Sequence, residues 1–109
     1  MIEKTVRDYL DGVLAVDVYT DKPASPPASY VVVERVGGSM VNLTRQARMA
    51  IQSYGRTRLE AAQLHEQVLA VMPDMQTVDG GVHLDAEYDY TDTTTKVYRY
   101  QAVFEITYF

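Results

Sequence analysis

The stretch that decides the fold is VHLDAEYDYTDTTTKVYRYQAVFEITYF, which covers residues 82–109. Apolar and polar residues alternate on both sides of the polar segment 91–95, and the first apolar row ends in Tyr88 and Tyr90. A period of two is typical of strands with one buried face, so the stretch predicts a β-hairpin. Both apolar rows share one face if the loop holds an odd number of residues. That register pairs three residues of each strand: Tyr88 with Tyr98, Ala86 with Tyr100 and Glu87 with Arg99.

Three segments upstream also predict strands. Residues 15–19 give a short strand, residues 30–36 a β-branched strand, and residues 41–52 a long strand with alternating apolar side chains. The glycine pair at 37–38 readily supplies the positive φ of a hairpin turn between the last two. Arg45 interrupts the apolar face of the long strand. Either it lies beyond the edge of the core with its charged end in water, or it pairs across a subunit interface.

Two segments predict helices. Apolar residues recur at helical spacing over residues 2–13. Thr57 and Glu60 match a capping box, in which the Thr57 hydroxyl accepts from the Glu60 amide and the Glu60 carboxylate accepts from the Thr57 amide. A second helix therefore begins there, and Pro73 limits its length. Because the strands are grouped as antiparallel neighbours, we predict one α+β domain over residues 1–109. It has a mainly antiparallel sheet of four to five strands and two helices on one face.

Composition excludes several classes of function. The chain has 109 residues, no cysteine and a formal net charge of -5, with nine tyrosines that mostly fit the apolar pattern. Without cysteine there is no thiol chemistry and no cysteine metal site, and a reducing cytoplasm is the expected compartment. The negative charge argues against a surface that binds duplex DNA. No apolar run approaches the roughly 20 residues of a membrane span, so we expect a protein without a targeting signal.

The residues that could carry chemistry form no recognisable site. His83, Asp85, Glu87 and Asp89 share one face of the predicted strand, and such ligands suit calcium or magnesium. Neighbours on that face are about 7 Å apart, too far to chelate one ion, so a solvated acidic face is expected. His65 has no second histidine at the spacing of a zinc protease and is expected to be a partly buried helical residue. No serine lies in a nucleophile elbow. We therefore predict no enzyme and no catalytic, cofactor or metal site.

The segment 20–29 contains three prolines, Pro23, Pro26 and Pro27. Proline at this density rules out a helix interior or a central strand, so the segment predicts a long exposed loop. A loop of this length in a small domain is either functional or simply mobile.

Several segments resemble one family over nearly the whole chain. They are MIEKTVRDYL at residues 1–10, VYTDKP at 18–23, AIQSYG at 50–55 leading into EAAQL at 60–64, and YRYQAVF at 98–104. These segments, the length and the order of elements resemble the small tail-completion proteins of long-tailed bacteriophages and prophages, also described as tail terminators or head-tail joining proteins. No motif among them is chemically diagnostic.

The resemblance implies a structural role. Such proteins have an α+β fold and assemble as a ring, commonly a hexamer, on the end of the tail tube. There they stop tube growth and meet the head connector, and DNA passes through the lumen without tight binding. The protein is then expected in the virion, after assembly in the bacterial cytoplasm. The loop and the ends of the long strands are the expected contacts with neighbouring subunits or the tube: Asp21, Lys22, Pro23, Pro26, Pro27, Val41, Leu43, Arg45 and Tyr54.

Two alternatives stay open. A head-side connector or a minor tail protein would differ from a terminator only in its partner. A small ligand-binding or regulatory domain would use the tyrosine-rich face as a pocket. That alternative predicts a stable monomer or dimer whose stability rises with its ligand.

Overall fold

A computed structural model of the chain describes residues 1–41, 44–75 and 81–108. The elements in chain order are α1 (Ile2–Val13), β1 (Asp17–Tyr19), β2 (Tyr30–Val41), β3 (Thr44–Gly55), α2 (Arg58–Val71), a 3₁₀ turn (Met72–Asp74), β4 (Gly81–Asp89) and β5 (Tyr98–Tyr108). They form a five-stranded sheet with the order β1-β2-β3-β5-β4. Only β1 and β2 run parallel, and the other neighbours are antiparallel. The predicted α+β class and mainly antiparallel sheet are confirmed.

Both helices cover the same face of the sheet, called here the inner face. The apolar stripe of α1 and that of α2 meet alternate residues of β2, β3 and β5 in one buried cluster. Its central members are Val6, Leu10, Val33, Met49, Ile51, Leu64, Val68, Ala102, Phe104 and Ile106. The period-two pattern of β5 therefore marks the core, as predicted, because each even residue from Ala102 to Ile106 points to the helices.

The start of α2 follows half of the predicted capping box. The Thr57 hydroxyl accepts a hydrogen bond from the Glu60 amide at 3.1 Å, as predicted. The Glu60 carboxylate instead accepts from the amide of Arg56 at 3.0 Å, so the predicted return bond to Thr57 is wrong. The chain turns very tightly from β3 into α2. A Cβ atom on Gly55 would lie only 2.5 Å from the backbone nitrogen of Ala61.

The first hairpin turns later than predicted. β2 runs through the glycine pair and continues to Val41, which pairs with Thr44, so the prediction of a turn at Gly37 and Gly38 is wrong. Within the described ranges only Gly81 is a glycine with positive φ. Gly38 serves a different need, because a Cβ there would lie 2.7 Å from the carbonyl oxygen of Gln46 on β3. A close approach between strands requires glycine as strongly as a turn does.

The second hairpin forms, but its predicted register is wrong. Tyr88 pairs with Gln101, Ala86 with Val103 and Glu87 with Ala102. These pairs share the register of the turn, and a bulge between Leu84 and Ala86 reverses their faces relative to the residues before it. The turn residues are 93–96, closed by a bridge between Asp92 and Val97. Four loop residues replace the odd number that an unbulged hairpin requires, and Lys96 takes the positive φ of 56°.

The segment 20–29 is a loop, as predicted, and contains no helix or strand. It connects β1 to β2, which begins beside the start of β1 because the two strands are parallel. β1 is shorter than predicted and pairs only with Tyr30–Val32 of β2. From Val33 onwards β2 therefore forms this edge of the described sheet.

Candidate interaction surface

The sheet face opposite the helices, called here the outer face, carries polar and aromatic residues from four strands. Two cross-strand rows define its centre. One row contains Tyr30, Tyr54 and Arg99, and the other contains Val32, Gln52, Gln101 and Tyr88. Because the bulge in β4 reverses its faces, Tyr88 lies in this row, and its predicted place on the apolar core face is wrong.

Tyrosine rings form a contiguous layer on the outer face. The rings of Tyr30 and Tyr54 are stacked, with centroids 4.4 Å apart and planes 6° from parallel. Tyr19 meets the edge of Tyr30 at 6.0 Å. Burial raises the pKa of the Tyr30 phenol, and the nearby Tyr54 adds to the effect. The layer is held by aromatic contacts, each stabilising by about 0.5–1.5 kcal/mol.

A directed chain of hydrogen bonds crosses the three strands next to this layer. The Tyr54 hydroxyl donates to Gln52 Oε1 at 3.1 Å, and Gln52 Nε2 donates to Gln101 Oε1 at 2.8 Å. Gln101 Nε2 then donates to the hydroxyl oxygen of Tyr88. Each amide is satisfied by its neighbour, which fixes its orientation. The chain ends at Tyr88, whose side chain is exposed beside Tyr90.

Two cations approach the same tyrosine layer from different parts of the chain. Arg99 Cζ lies 4.4 Å from the ring centroid of Tyr90 and 6.0 Å from that of Tyr54. Its Nε donates to the Tyr90 carbonyl at 2.8 Å. Lys22, from the proline-rich loop, places Nζ 5.7 Å from the Tyr54 ring centroid. We call Lys22, Tyr54, Tyr90 and Arg99 the tyrosine–cation cluster.

Two of the residues predicted to contact a neighbouring subunit or the tube belong to this cluster. Lys22 and Tyr54 come together there, although they are far apart in sequence. Tyr54 lies at the end of β3 and is only 4% exposed, and its contact with a neighbouring subunit stays a prediction. Pro23 is half-buried, whereas Pro26 and Pro27 are exposed. Contact of these prolines with a partner stays a prediction.

The other predicted contact residues lie elsewhere. Asp21 lines two adjoining cavities of about 440 Å³ and 250 Å³ beside Met1 of α1. Arg45 is exposed at the opposite end of β3, with Cζ 5.5 Å from the ring centroid of Tyr108. Val41 is the last residue of β2, and Leu43 lies outside the described residues. The two expected contact regions are thus at opposite ends of the sheet.

The predicted row of acidic residues on β4 is divided by the bulge. Glu87 turns to the inner face, where Oε1 lies 3.0 Å from Nε2 of His65. Asp85 pairs with Arg48 on the outer face at 2.7 Å. The prediction that these residues share one face of β4 is therefore wrong. Among the described residues, no three potential metal ligands come together.

His65 is more deeply buried than predicted. Its side chain is 2% exposed, and its ring centroid lies 5.2 Å from that of Tyr100. Nδ1 has no hydrogen-bond partner within the described part of the chain, and neither has the buried hydroxyl of Ser53. Only the contact with Glu87 satisfies the imidazole, so Glu87 orients this buried ring.

Sequence reasoning missed Arg99, Gln52 and Gln101 as members of a surface. Arg99 was expected only as a cross-strand partner of Glu87, which it does not contact. A usable signal was the polar row of β5, in which Arg99 and Gln101 alternate with core residues. No local pattern predicts that Arg99 contacts Tyr54 on β3, because these two residues are 45 positions apart in the sequence.

Comparisons with known proteins add no relative. No protein-family model matches the chain, and no curated protein matches it significantly. Among the described residues, no helix is both long and apolar enough to cross a membrane.

Proposed function

We propose that this chain is a non-enzymatic assembly protein of the tail-terminator type, which caps a phage tail tube as a ring and joins the tail to the head connector. Two independent lines support the proposal. The first is the resemblance of the segments at residues 1–10, 18–23, 50–64 and 98–104 to that family. The second is the distribution of exposed apolar side chains along the two edges of the sheet.

That distribution is the observation that carries the proposal. On the edge formed by β2 beyond β1, Val36 and Met40 are exposed. On the edge formed by β4, Leu84 and Tyr88 are exposed. These four side chains are between 42% and 60% exposed, although Met40 and Leu84 are large aliphatic residues within strands and Tyr88 is aromatic. Apolar side chains gathered at an edge are typical of protein contacts.

The two edges differ in sequence, so each is suited to a partner other than itself. A contact between one edge of a subunit and the opposite edge of the next is heterologous. Such contacts repeat head to tail, and they close into a ring when the rotation between subunits allows it. A ring of this kind is what a tail terminator requires. The net charge of -5 suits a lumen through which DNA passes without tight binding.

The proposal is tested by mixing the purified protein with tail tubes of the phage or prophage that encodes it. Light scattering over a wide concentration range gives the mass of the free protein, and electron microscopy reveals rings on tube ends. Met40→Asp should abolish the rings because it places a charge in one edge. Leu59→Asp is the matched control, since Leu59 is equally exposed but lies on α2. Rings that form normally with Met40→Asp would contradict edge-to-edge assembly.

The loop gives a second test of the same proposal. Deleting residues 24–28 shortens the exposed proline-rich connection between β1 and β2. We expect the thermal midpoint of the monomer to stay nearly unchanged while ring formation or tail joining is lost. A deletion variant that still caps tubes would remove the loop from the contact surface and leave the edge contacts to explain assembly.

The alternative functions predict other outcomes of these experiments. A head-side connector or minor tail protein would ignore tube ends and bind the head connector or another tail component. A ligand-binding domain is favoured by the cavity of about 440 Å³ next to α1, which is lined by Lys4, Arg7 and Tyr19 among others. It would remain a monomer or dimer and gain stability with its ligand.

A further inference from the structure

We infer that the tyrosine–cation cluster is a docking site for an acidic segment of a partner protein. The cluster lies on the outer face and adjoins the proposed edge contacts only at Tyr88, whose ring lies beside that of Tyr90. The variants that test it, Arg99→Gln and Lys22→Gln, change neither edge, so its failure and that of the tail-terminator proposal are distinguishable. Two cations of the cluster lack an ion pair within the described residues, Arg99 keeps donors available, and the chain as a whole is acidic.

Four of the ten lysines and arginines are paired with a carboxylate within the described residues. Four basic residues each lie within 3.1 Å of an aspartate oxygen, namely Lys4, Arg7, Arg48 and Arg58. Lys22 and Arg99 form no such pair with any carboxylate in the residues the structure describes. The chain carries fifteen acidic residues against ten lysines and arginines. Lys22 and Arg99 differ from the other cations without an ion pair in that both lie within 6.0 Å of the same ring centroid, that of Tyr54.

The guanidinium of Arg99 is held in place, yet some of its N–H donors make no hydrogen bond within the described chain. Nε donates to the Tyr90 carbonyl, and Nη1 makes a long contact of 3.4 Å with the Tyr54 hydroxyl. Nη2 makes no hydrogen bond within the described chain. A guanidinium fixed on one side presents its remaining donors in the planar geometry that suits a carboxylate. The rings of Tyr54 and Tyr90 support it and limit its hydration.

The nearest acidic residue of the turn does not compete for these donors. Asp92 Oδ1 accepts from the amides of Thr94 and Thr95 at 3.0 Å and 3.3 Å. These hydrogen bonds, above all that with Thr95, hold the pKa of Asp92 below its usual value, and the charge of Arg99 contributes less. Asp92 thus stabilises its own turn, and the cluster keeps two cations for a partner.

A protein segment fits this site better than a nucleic acid does. Binding a phosphate backbone generally uses many cations, because each contact neutralises one phosphate. The cluster offers two cations on a chain of net charge -5. One or two carboxylates with apolar neighbours match these two cations. The exposed ring of Tyr90 lies beside Arg99, and that of Tyr88 lies beside Tyr90, so both can contact those neighbours.

The test uses the full chain and a fluorescent acetylated octaglutamate amide as the probe. Fluorescence polarisation should give saturable binding that weakens between about 50 mM and about 500 mM NaCl, because the contacts are exposed to solvent. Arg99→Gln should weaken binding by about tenfold, and Lys22→Gln by about threefold. Arg45→Gln is the matched control, since Arg45 lies on the Tyr108 ring at the far end of β3 and no second cation of the described residues lies on that ring. It should change the affinity by less than about twofold.

Thermal unfolding of each variant separates lost binding from lost folding. Lys22 is exposed in a loop, so Lys22→Gln should keep the wild-type midpoint even if Arg99→Gln does not. Absence of saturable binding in the wild type, or equal losses in Lys22→Gln and Arg45→Gln, would overturn the inference. So would tighter binding of octathymidylate than of octaglutamate with the same dependence on Lys22, which would assign the surface to nucleic acid.

Discussion

The two faces of the sheet reach low exposure by different means. On the inner face, Phe104 and Met49 belong to the apolar cluster that the helices cover. On the outer face, Tyr30 and Tyr54 are almost as buried, but they are covered by each other and by the side chains beside them in a single layer. Burial measured residue by residue therefore does not identify the core. The inner face holds the fold together, and the outer face keeps an ordered polar surface next to solvent.

The largest expected effect separates the two kinds of burial. Phe104→Ala should lower the free energy of unfolding by about 3–5 kcal/mol, because the helices cannot fully collapse into the space it leaves. Tyr54→Ala should cost roughly half as much, since water can enter an uncovered layer and only the ring contacts are lost. Urea denaturation of both variants measures the difference. Equal losses would mean that the outer face is a second core and not a surface.

A smaller effect tests the division of β4 by its bulge. Glu87→Ala removes the hydrogen-bond partner that the buried His65 ring has within the described chain, so it should cost about 1–3 kcal/mol. Asp85→Ala removes a surface ion pair with Arg48 and should cost about 0–1 kcal/mol. The two residues are neighbours on one strand, which makes them matched controls for each other in thermal or urea unfolding. If Asp85→Ala is the more costly change, the faces of β4 have been assigned the wrong way round.

The smallest effect depends on pH. A hydrogen bond from Thr91, helped by the charge of Arg58, lowers the pKa of Asp89 below the value of 3.8. Because the pKa of Asp89 is lower in the folded state, its charge stabilises the fold at pH values above the unfolded-state pKa. This stabilisation is lost as the pH falls through the folded-state pKa. Asp89→Asn should therefore cost less than about 1 kcal/mol at pH 7, because both partners are partly exposed.

A pH series of urea unfolding measures this contribution. The stability difference between wild type and Asp89→Asn should shrink as the pH is lowered below about 4. A difference that stays constant from pH 7 to pH 3 would show that the carboxylate charge of Asp89 has no part in it.

The inner face could be predicted from the sequence, because its signals are local. The alternation along β5, the apolar stripe of α1 and the cap at Thr57 each lie within one element, so a repeat of two or 3.6 residues is enough to find them. The α+β class follows from the order of those elements. The same reasoning correctly assigned the prolines at 23, 26 and 27 to a loop.

The outer face and the two turns could not be predicted in the same way. A glycine pair is compatible with a turn and with close strand packing, and only the position of Gln46 decides between them. One extra residue at Asp85 reverses every later face of β4, yet no composition marks a bulge. Tyr54 is brought to Arg99 by long-range pairing, so the cluster and its charge exist only in the folded chain.

The place of β5 in the sheet also constrains how the chain reaches its native state. β3 and β5 form the central ladder, and even near one end this ladder joins Tyr54 to Arg99 across 45 residues. Each hairpin can close locally, whereas the central ladder must wait for a slow long-range encounter. During synthesis on the ribosome, one edge of β3 stays open until the last strand of the sheet emerges. Over that interval the nascent β2–β3 hairpin is a template for unwanted pairing, and its protection depends on how soon α2 covers it.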